Sequence, residues 1–162
     1  NTSFFNLLDK GLIVKYRGAR VDYGWGEISK YQKAYPNMQL SNTNNDCVKE
    51  MTVSRVVVFD SVHATSLLEA IMMNIPFVIL ANNYKNEIQI DSINIFQKMI
   101  NCNLIFENPD QCAYFLNKNV HSVSKWWSSE EVQSTTREFS SSYVKKCSNF
   151  SKEFIREMKV IN

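Results

Sequence analysis

The sequence predicts an α/β fold: a parallel sheet of about five strands flanked by helices, closed by a long C-terminal helical tail. Three observations carry this. Residues Arg55–Asp60, "RVVVFD", are a continuous β-branched run, the pattern of a strand buried on both faces of a parallel sheet. Strand-like and helix-like segments alternate through most of the chain. From residue 129 onward the apolar residues recur only at helical spacing.

Taken in order, "SFFNLLDKG" is the end of a helix stopped at Gly11. Leu12–Arg17, "LIVKYR", is a short strand ending in cations, and "GARVDYGWG" is a loop holding three of the four glycines. "EISKYQKAY" is amphipathic and stops before Pro36, and "MQL" is a short strand. "SNTNN" is a polar turn capping a helix around Asp46–Thr52. After the strand at 55–60, a helix runs from about Ala64 to Met73, followed by the strand "PFVILA". "NEIQIDSINIFQKMI" is a further helix and "NLIF" a further strand. Asn108 and Pro109 then supply an N-cap and a first helical residue. Beyond Trp126 and Trp127, Ser128 and Glu131 have the spacing of a capping box. The helix they open carries Val132, Phe139, Tyr143, Cys147, Phe150, Phe154 and Met158. Those aromatics exceed what the rim of a small domain exposes, so the tail is expected to reach toward another domain.

Composition narrows the classes. With 162 residues, 44% hydrophobic and 12% aromatic, the chain has a real core to bury. A net charge of +2 with scattered Lys and Arg gives no nucleic-acid footprint, and no apolar run reaches the length of a membrane span. The opening at Asn1, running straight into "SFFNLL", suggests a piece of something longer. The four cysteines show no metal-binding spacing and sit in apolar or helical contexts, so buried thiols in a reducing cytoplasm are expected. No G-x-S-x-G, P-loop, G-x-G-x-x-G or H-E-x-x-H is present, and His63 and His121 are too isolated for a nucleophilic triad.

The chemistry concentrates in "FDSVHATSLLEAIMMNIPFVIL", where Asp60, Ser61, His63, Thr65, Ser66 and Glu69 crowd one strand-to-helix junction. At 100° per residue, Ala64, Leu67, Leu68 and Ile71 share the arc that must pack on the sheet. Thr65, Ser66 and Glu69 lie on the opposite side. The helix N-terminus offers unpaired N–H groups and a positive dipole end, and the hydroxyls add donors for phosphate oxygens. Glu69, one turn in, is placed to accept from ribose hydroxyls, and the junction lies beyond the carboxyl end of a parallel strand, where open α/β sheets hold ligands. The plainer alternative is that Ser61 or Thr65 caps the helix, His63 bonds a loop carbonyl and Glu69 is solvated. Lys15 and Arg17, with Arg20 and Asp22 in the loop after them, either neutralise an anionic ligand or are solvated charges.

The succession "KYRGARVDYGW", "VVVFDSVHATSLLEAIMMNIPFVIL", "FENPDQCAYFLN" and "WWSSEEVQ" followed by "REF" resembles the C-terminal half of GT-B-type glycosyltransferases. It is most similar to transferases of bacterial surface-carbohydrate biosynthesis. The likeness covers nearly the whole chain from about Gly11, and the tryptophan-pair segment is its narrowest motif. The resemblance implies a Rossmann-like nucleotide-sugar-binding domain over residues 1–128, with residues 129–162 as a helical tail packed on it, working beside a missing N-terminal domain. It implies donor phosphates on the helix after "FDSVHATS", ribose on Glu69, and Lys15 and Arg17 facing the donor. The nucleotide-binding set is then Lys15, Arg17, Ser61, His63, Thr65, Ser66 and Glu69. Arg17-Gly18 stands where such enzymes more often carry His-Pro.

The partners so implied are a nucleotide-sugar donor, a sugar or glycolipid acceptor and the missing domain, with no cofactor, metal or nucleic acid. The expected location is cytoplasmic, peripheral to the inner membrane. The general base belongs to the other domain, so no catalytic residue is assigned and this stretch alone binds without turnover. Two alternatives stand beside a transferase: a sugar-nucleotide 2-epimerase of the same fold, and a non-catalytic nucleotide-binding or interaction module.

Overall fold

The computed structural model describes residues 2–18, 24, 26–86 and 88–144. The elements are α1 (Thr2–Leu7), β1 (Lys15–Tyr16), α2 (Glu27–Ala34), β2 (Gln39–Leu40), α3 (Cys47–Thr52), β3 (Val57–Phe59), α4 (Thr65–Met72) and β4 (Phe77–Leu80). They continue with α5 (Ile93–Asn101), β5 (Ile105–Phe106), α6 (Pro109–Asn119), α7 (Val123–Trp127) and α8 (Glu130–Tyr143). All the pairings are parallel, as the α/β reading requires, but the strands form two small sheets, β1-β2 and β3-β4-β5, flanked by helices.

The central strand is β4. All four of its residues are buried, and it pairs with β3 on one edge and β5 on the other. Phe77 and Ile79 enter one core with Met51 of α3, Leu67, Ala70 and Ile71 of α4, Phe96 and Met99 of α5, and Val132 and Phe139 of α8. Val78 and Leu80 enter a second core with Phe4 and Phe5 of α1, Ala34 of α2, and Cys112, Ala113 and Leu116 of α6. The two-residue period of a strand thus feeds both helical layers.

Several expectations change in detail. The β-branched run at Arg55–Asp60 is not buried on both faces: β3 is an edge of its sheet, and Val58 is 38% exposed. Continuous apolar sequence reflects burial on both faces only where a neighbour covers each edge and face, and here β4 has that position. The first strand spans Lys15–Tyr16 rather than Leu12–Arg17, because β2 offers only two residues to pair with; Ile13 is 85% exposed. The helix expected from residue 86 begins at Ile93, after two 3₁₀ turns.

Ser128 is not an N-cap. Its backbone is helical and its N–H donates to the Ser124 carbonyl, closing α7. The cap of α8 is Ser129, whose extended backbone lets Oγ accept from the Val132 N–H at 3.4 Å, so no capping box with Glu131 forms. The caps Asp46 on α3 and Asn108 on α6, with Pro109 at the first helical position, are as expected. Cys102 and Cys112 are buried free thiols, and burial pushes the Cys112 thiol up to about 12. Cys147 lies outside the described residues, as do Phe150, Phe154 and Met158.

The tryptophan pair holds the amino-terminal edge of the sheet. Helices α4 and α5 both end on an asparagine in the left-handed region, Asn74 at φ 54° and Asn103 at φ 62°. After each, the next N–H reaches back five residues, Ile75 to Ala70 at 2.9 Å and Leu104 to Met99 at 2.8 Å, a Schellman closure. The Trp127 indole N–H donates to the Asn74 carbonyl at 3.1 Å, and that of Trp126 to the Cys102 carbonyl at 3.0 Å. Gln133 then bonds both the Trp127 carbonyl (2.8 Å) and Asn74 Oδ1 (3.3 Å). One clasp therefore ties α7 and α8 to two successive helix-to-strand turns.

Trp127 is buried against Phe77, so Trp127→Ala is expected to lower stability by about 3–5 kcal/mol in urea unfolding. Trp127→Phe, which keeps most of the packing and loses the indole donor, should cost on the order of 1 kcal/mol from the hydrogen bond. Equal losses for both variants would mean that the hydrogen bond, not the packing, holds the clasp.

Candidate functional site

The carboxyl ends of the strands are where the two helical layers diverge. After β1 the chain passes to α2, which packs in the core of Val78 and Leu80, whereas after β3 it passes to α4, which packs in the core of Phe77 and Ile79. Among the described residues no ladder hydrogen bond joins β1 to β3. A crevice between the carboxyl ends of two such strands is the switch point at which open α/β sheets take ligands.

Both sides meet electrostatically. The Tyr16 hydroxyl donates to Glu27 Oε2 at 3.4 Å. Burial pushes the Tyr16 phenol up to about 12, helped by the charges of Glu27 and, at the end of β3, Asp60. Tyr31, whose ring lies 5.3 Å from that of Tyr16, is raised by the same causes.

On the β3 side, the N-terminus of α4 carries no side-chain cap. Ala64 is the N-cap, with extended backbone, and Ser61 Oγ instead accepts from the His63 N–H at 3.1 Å. Neither Ser61 nor Thr65 caps the helix, while α3, α6 and α8 are all capped by a side chain. Leu67, Ala70 and Ile71 are buried, Ser66 is half-buried, and Thr65 and Glu69 are exposed one turn apart, so the polar arc faces solvent. His63 is exposed beside it. The structure therefore brings Ser61, His63, Thr65, Ser66 and Glu69 onto one short surface.

Lys15, in β1, and Arg17, the residue just after that strand, both turn toward α3 and meet Glu50. Arg17 Nη1 donates to Glu50 Oε2 at 2.9 Å and, at longer range, to Ser41 Oγ and the Asn42 carbonyl. Its Nη2 donates to the carbonyls of Thr43 at 2.9 Å and Asn45 at 2.8 Å. The Ser41 hydroxyl also donates to Glu50 Oε2, and Lys15 Nζ stands 3.5 Å from Oε1. The Ser41 hydrogen bond, with smaller contributions from Arg17, Asn45 and Lys15, holds the Glu50 carboxyl down at about 2.

Lys15, Asn45, Asp46, Lys49, Glu50 and Val53 line a shallow depression here. Sequence reasoning missed Ser41 and Glu50 because their link to Arg17 exists only once β1 and β2 are paired. Arg20 and Asp22 lie outside the described residues. Among the described residues no group of His, Cys, Asp and Glu is arranged to hold a metal ion, and no helix is long and apolar enough to cross a membrane.

Because the folded-state pKa of Glu50 is depressed from 4.5, its ionisation stabilises the fold fully above pH 4.5, and the contribution is lost as pH falls through 2. Denaturant unfolding of wild type and Glu50→Gln should therefore show a stability gap at pH 6 that narrows steadily between pH 4.5 and 2. A gap independent of pH would show that the ionised carboxylate is not what the network uses.

No curated protein and no solved structure matches this chain. A family model described as LIC12162 family transferase matches residues 1–158, a span that takes in both cores, the tryptophan clasp and the start of α4. On that match the chain belongs to the LIC12162 family of transferases.

Proposed function

We propose that this transferase chain is the donor-binding unit of a GT-B-type glycosyltransferase that takes a nucleotide sugar and serves bacterial cell-surface carbohydrate biosynthesis, with a sugar or glycolipid as acceptor. The observation that carries the reading is the uncapped N-terminus of α4, with Thr65 and Glu69 exposed and Ser66 half-buried between them at the switch point. Its first N–H groups and the helix dipole favour an anion, and the hydroxyls of Thr65 and Ser66 supply further donors. A ribose lying along the helix meets Glu69 one turn in.

Glycosyl transfer breaks the bond from the sugar's anomeric carbon to the phosphate oxygen, so negative charge grows on the departing nucleotide. Fixed donors at a helix N-terminus stabilise that charge more than the ground state. Ser61 and His63 border the approach, Lys15 is the more exposed of the two cations at the end of β1, and Arg17 lies on its inner side.

In this reading residues 1–128 are the donor unit and 129–162 a tail packed on it. Phe139 of α8 is buried in the core while Tyr143, bonded to Ser92, keeps 41% of its surface exposed at the end that would approach a preceding domain. The general base comes from that domain, and the protein works in the cytoplasm, at the inner membrane where a glycolipid acceptor resides.

Calorimetric titration with UDP-, GDP- and CMP-sugars tests the reading. Glu69→Ala removes a charged acceptor, worth roughly 1.5–3 kcal/mol, so affinity should fall about ten- to hundred-fold with the melting temperature unchanged. Ser66→Ala should cost less, on the order of 1 kcal/mol. If Glu69→Ala binds like wild type, or melts far lower, Glu69 is structural and the donor site lies elsewhere.

A further inference from the structure

We infer that Arg17 is a positioning residue, not a ligand-binding cation: with Glu50 and Ser41 it latches the Ser41–Asp46 loop beside the carboxyl end of β1. The inference rests on the donor-site reading for its consequence and on the geometry of the guanidinium for its substance. A guanidinium grips a phosphate through a fork of parallel N–H bonds. In Arg17 that fork is already filled. Both hydrogens of Nη2 go to the carbonyls of Thr43 and Asn45, and Nη1 is divided among Glu50, Ser41 and the Asn42 carbonyl. Binding a phosphate would require letting go of the loop.

The loop in turn is built to be held. It leaves β2 at Ser41, whose N–H donates to the Tyr16 carbonyl at 2.8 Å. It then folds on itself, with the Asn44 N–H on Asn42 Oδ1 at 3.0 Å and the Asn45 N–H on the Asn42 carbonyl at 2.9 Å. Asp46 finally caps α3. Its backbone carbonyls at 42, 43 and 45 converge on one cation, and carbonyls so gathered repel one another without it. Glu50, projecting from α3, holds that cation in place from the far side. Arg17 is 23% exposed and Lys15 is 47% exposed, so Lys15 is the cation at this strand end that a donor can reach, and Arg17 fixes the wall beside it.

The two roles predict opposite signs for one substitution. If Arg17 were a ligand cation, Glu50→Ala would release it from its ion pair, and nucleotide affinity would rise. As a latch, Arg17 loses its anchor in Glu50→Ala and affinity falls.

The experiment is backbone amide hydrogen exchange on wild type, Arg17→Met, Glu50→Ala and the double variant, with titrations of uridine, guanosine and cytidine diphosphates on the same samples. Exchange at Asn44 and Asn45 should quicken about ten-fold or more in each single variant, with Ile79 and Ala81 of the central sheet region unchanged as the folding control. Nucleotide affinity should weaken by similar factors in both single variants, and no further in the double variant. Tighter binding by Glu50→Ala, or weaker binding by Arg17→Met with loop exchange unmoved, overturns the latch. If wild type binds none of the three nucleotides, the donor-site reading fails, and the latch still stands or falls on whether loop exchange quickens in both variants.

Discussion

The four residues of β4 are the constraint from which the rest of the architecture follows. With a hydrogen-bonded neighbour on each edge and a helical layer on each face, the strand has no side open to water. Burying each of Phe77, Val78, Ile79 and Leu80 contributes about 1.5–3 kcal/mol, and the alternation sends that contribution equally into the two cores. Because α4 covers Phe77 and Ile79 while α2 joins the core of Val78 and Leu80, the helices that follow β3 and β1 lie in different layers. Strand ends whose following helices lie in different layers are where open α/β sheets take ligands.

The two edges of the sheet divide the labour. At the amino-terminal edge, left-handed asparagines and paired indoles saturate the carbonyls where α4 and α5 turn into the next strands. At the carboxyl edge, α4 begins without a side-chain cap, and Thr65, Ser66 and Glu69 form its polar arc. Polar groups that a structure does not use internally are the ones available to a ligand. The tryptophan-pair segment, the narrowest of the sequence motifs behind the glycosyltransferase resemblance, thus belongs to the scaffold. The less distinctive serine, threonine and glutamate belong to the surface where chemistry is possible. Membership of a transferase family fits this partition, since group transfer needs an edge open to substrates and a scaffold that does not move under it.

Much of this was legible in the residues. Local signals carry local structure: Asp46 and Asn108 announce their helices because an Asx side chain reaches N–H groups two and three residues on. The 100° periodicity of Leu67, Ala70 and Ile71 turns Glu69 outward whatever α4 packs against. Ser128 and Ser129 show the limit of the same logic, since two adjacent serines offer the same cap and only the run of α7 decides which one has extended backbone.

What the sequence by itself determined, then, was the parallel α/β class, the order of the elements and the polar arc at the start of α4. These depend on neighbours within a turn or two along the chain. Tertiary structure alone decided which strand lies at the centre, because "VVVF" and "FVIL" are each four apolar residues and only pairing partners separate an edge from an interior. It alone divided the strands into two sheets. It also decided the state of Arg17, whose acceptors at 41–50 are distant in sequence and become near only when β2 pairs beside β1. A side chain's charge is written in the sequence, but whether that charge is available depends on the oxygens that folding brings around it.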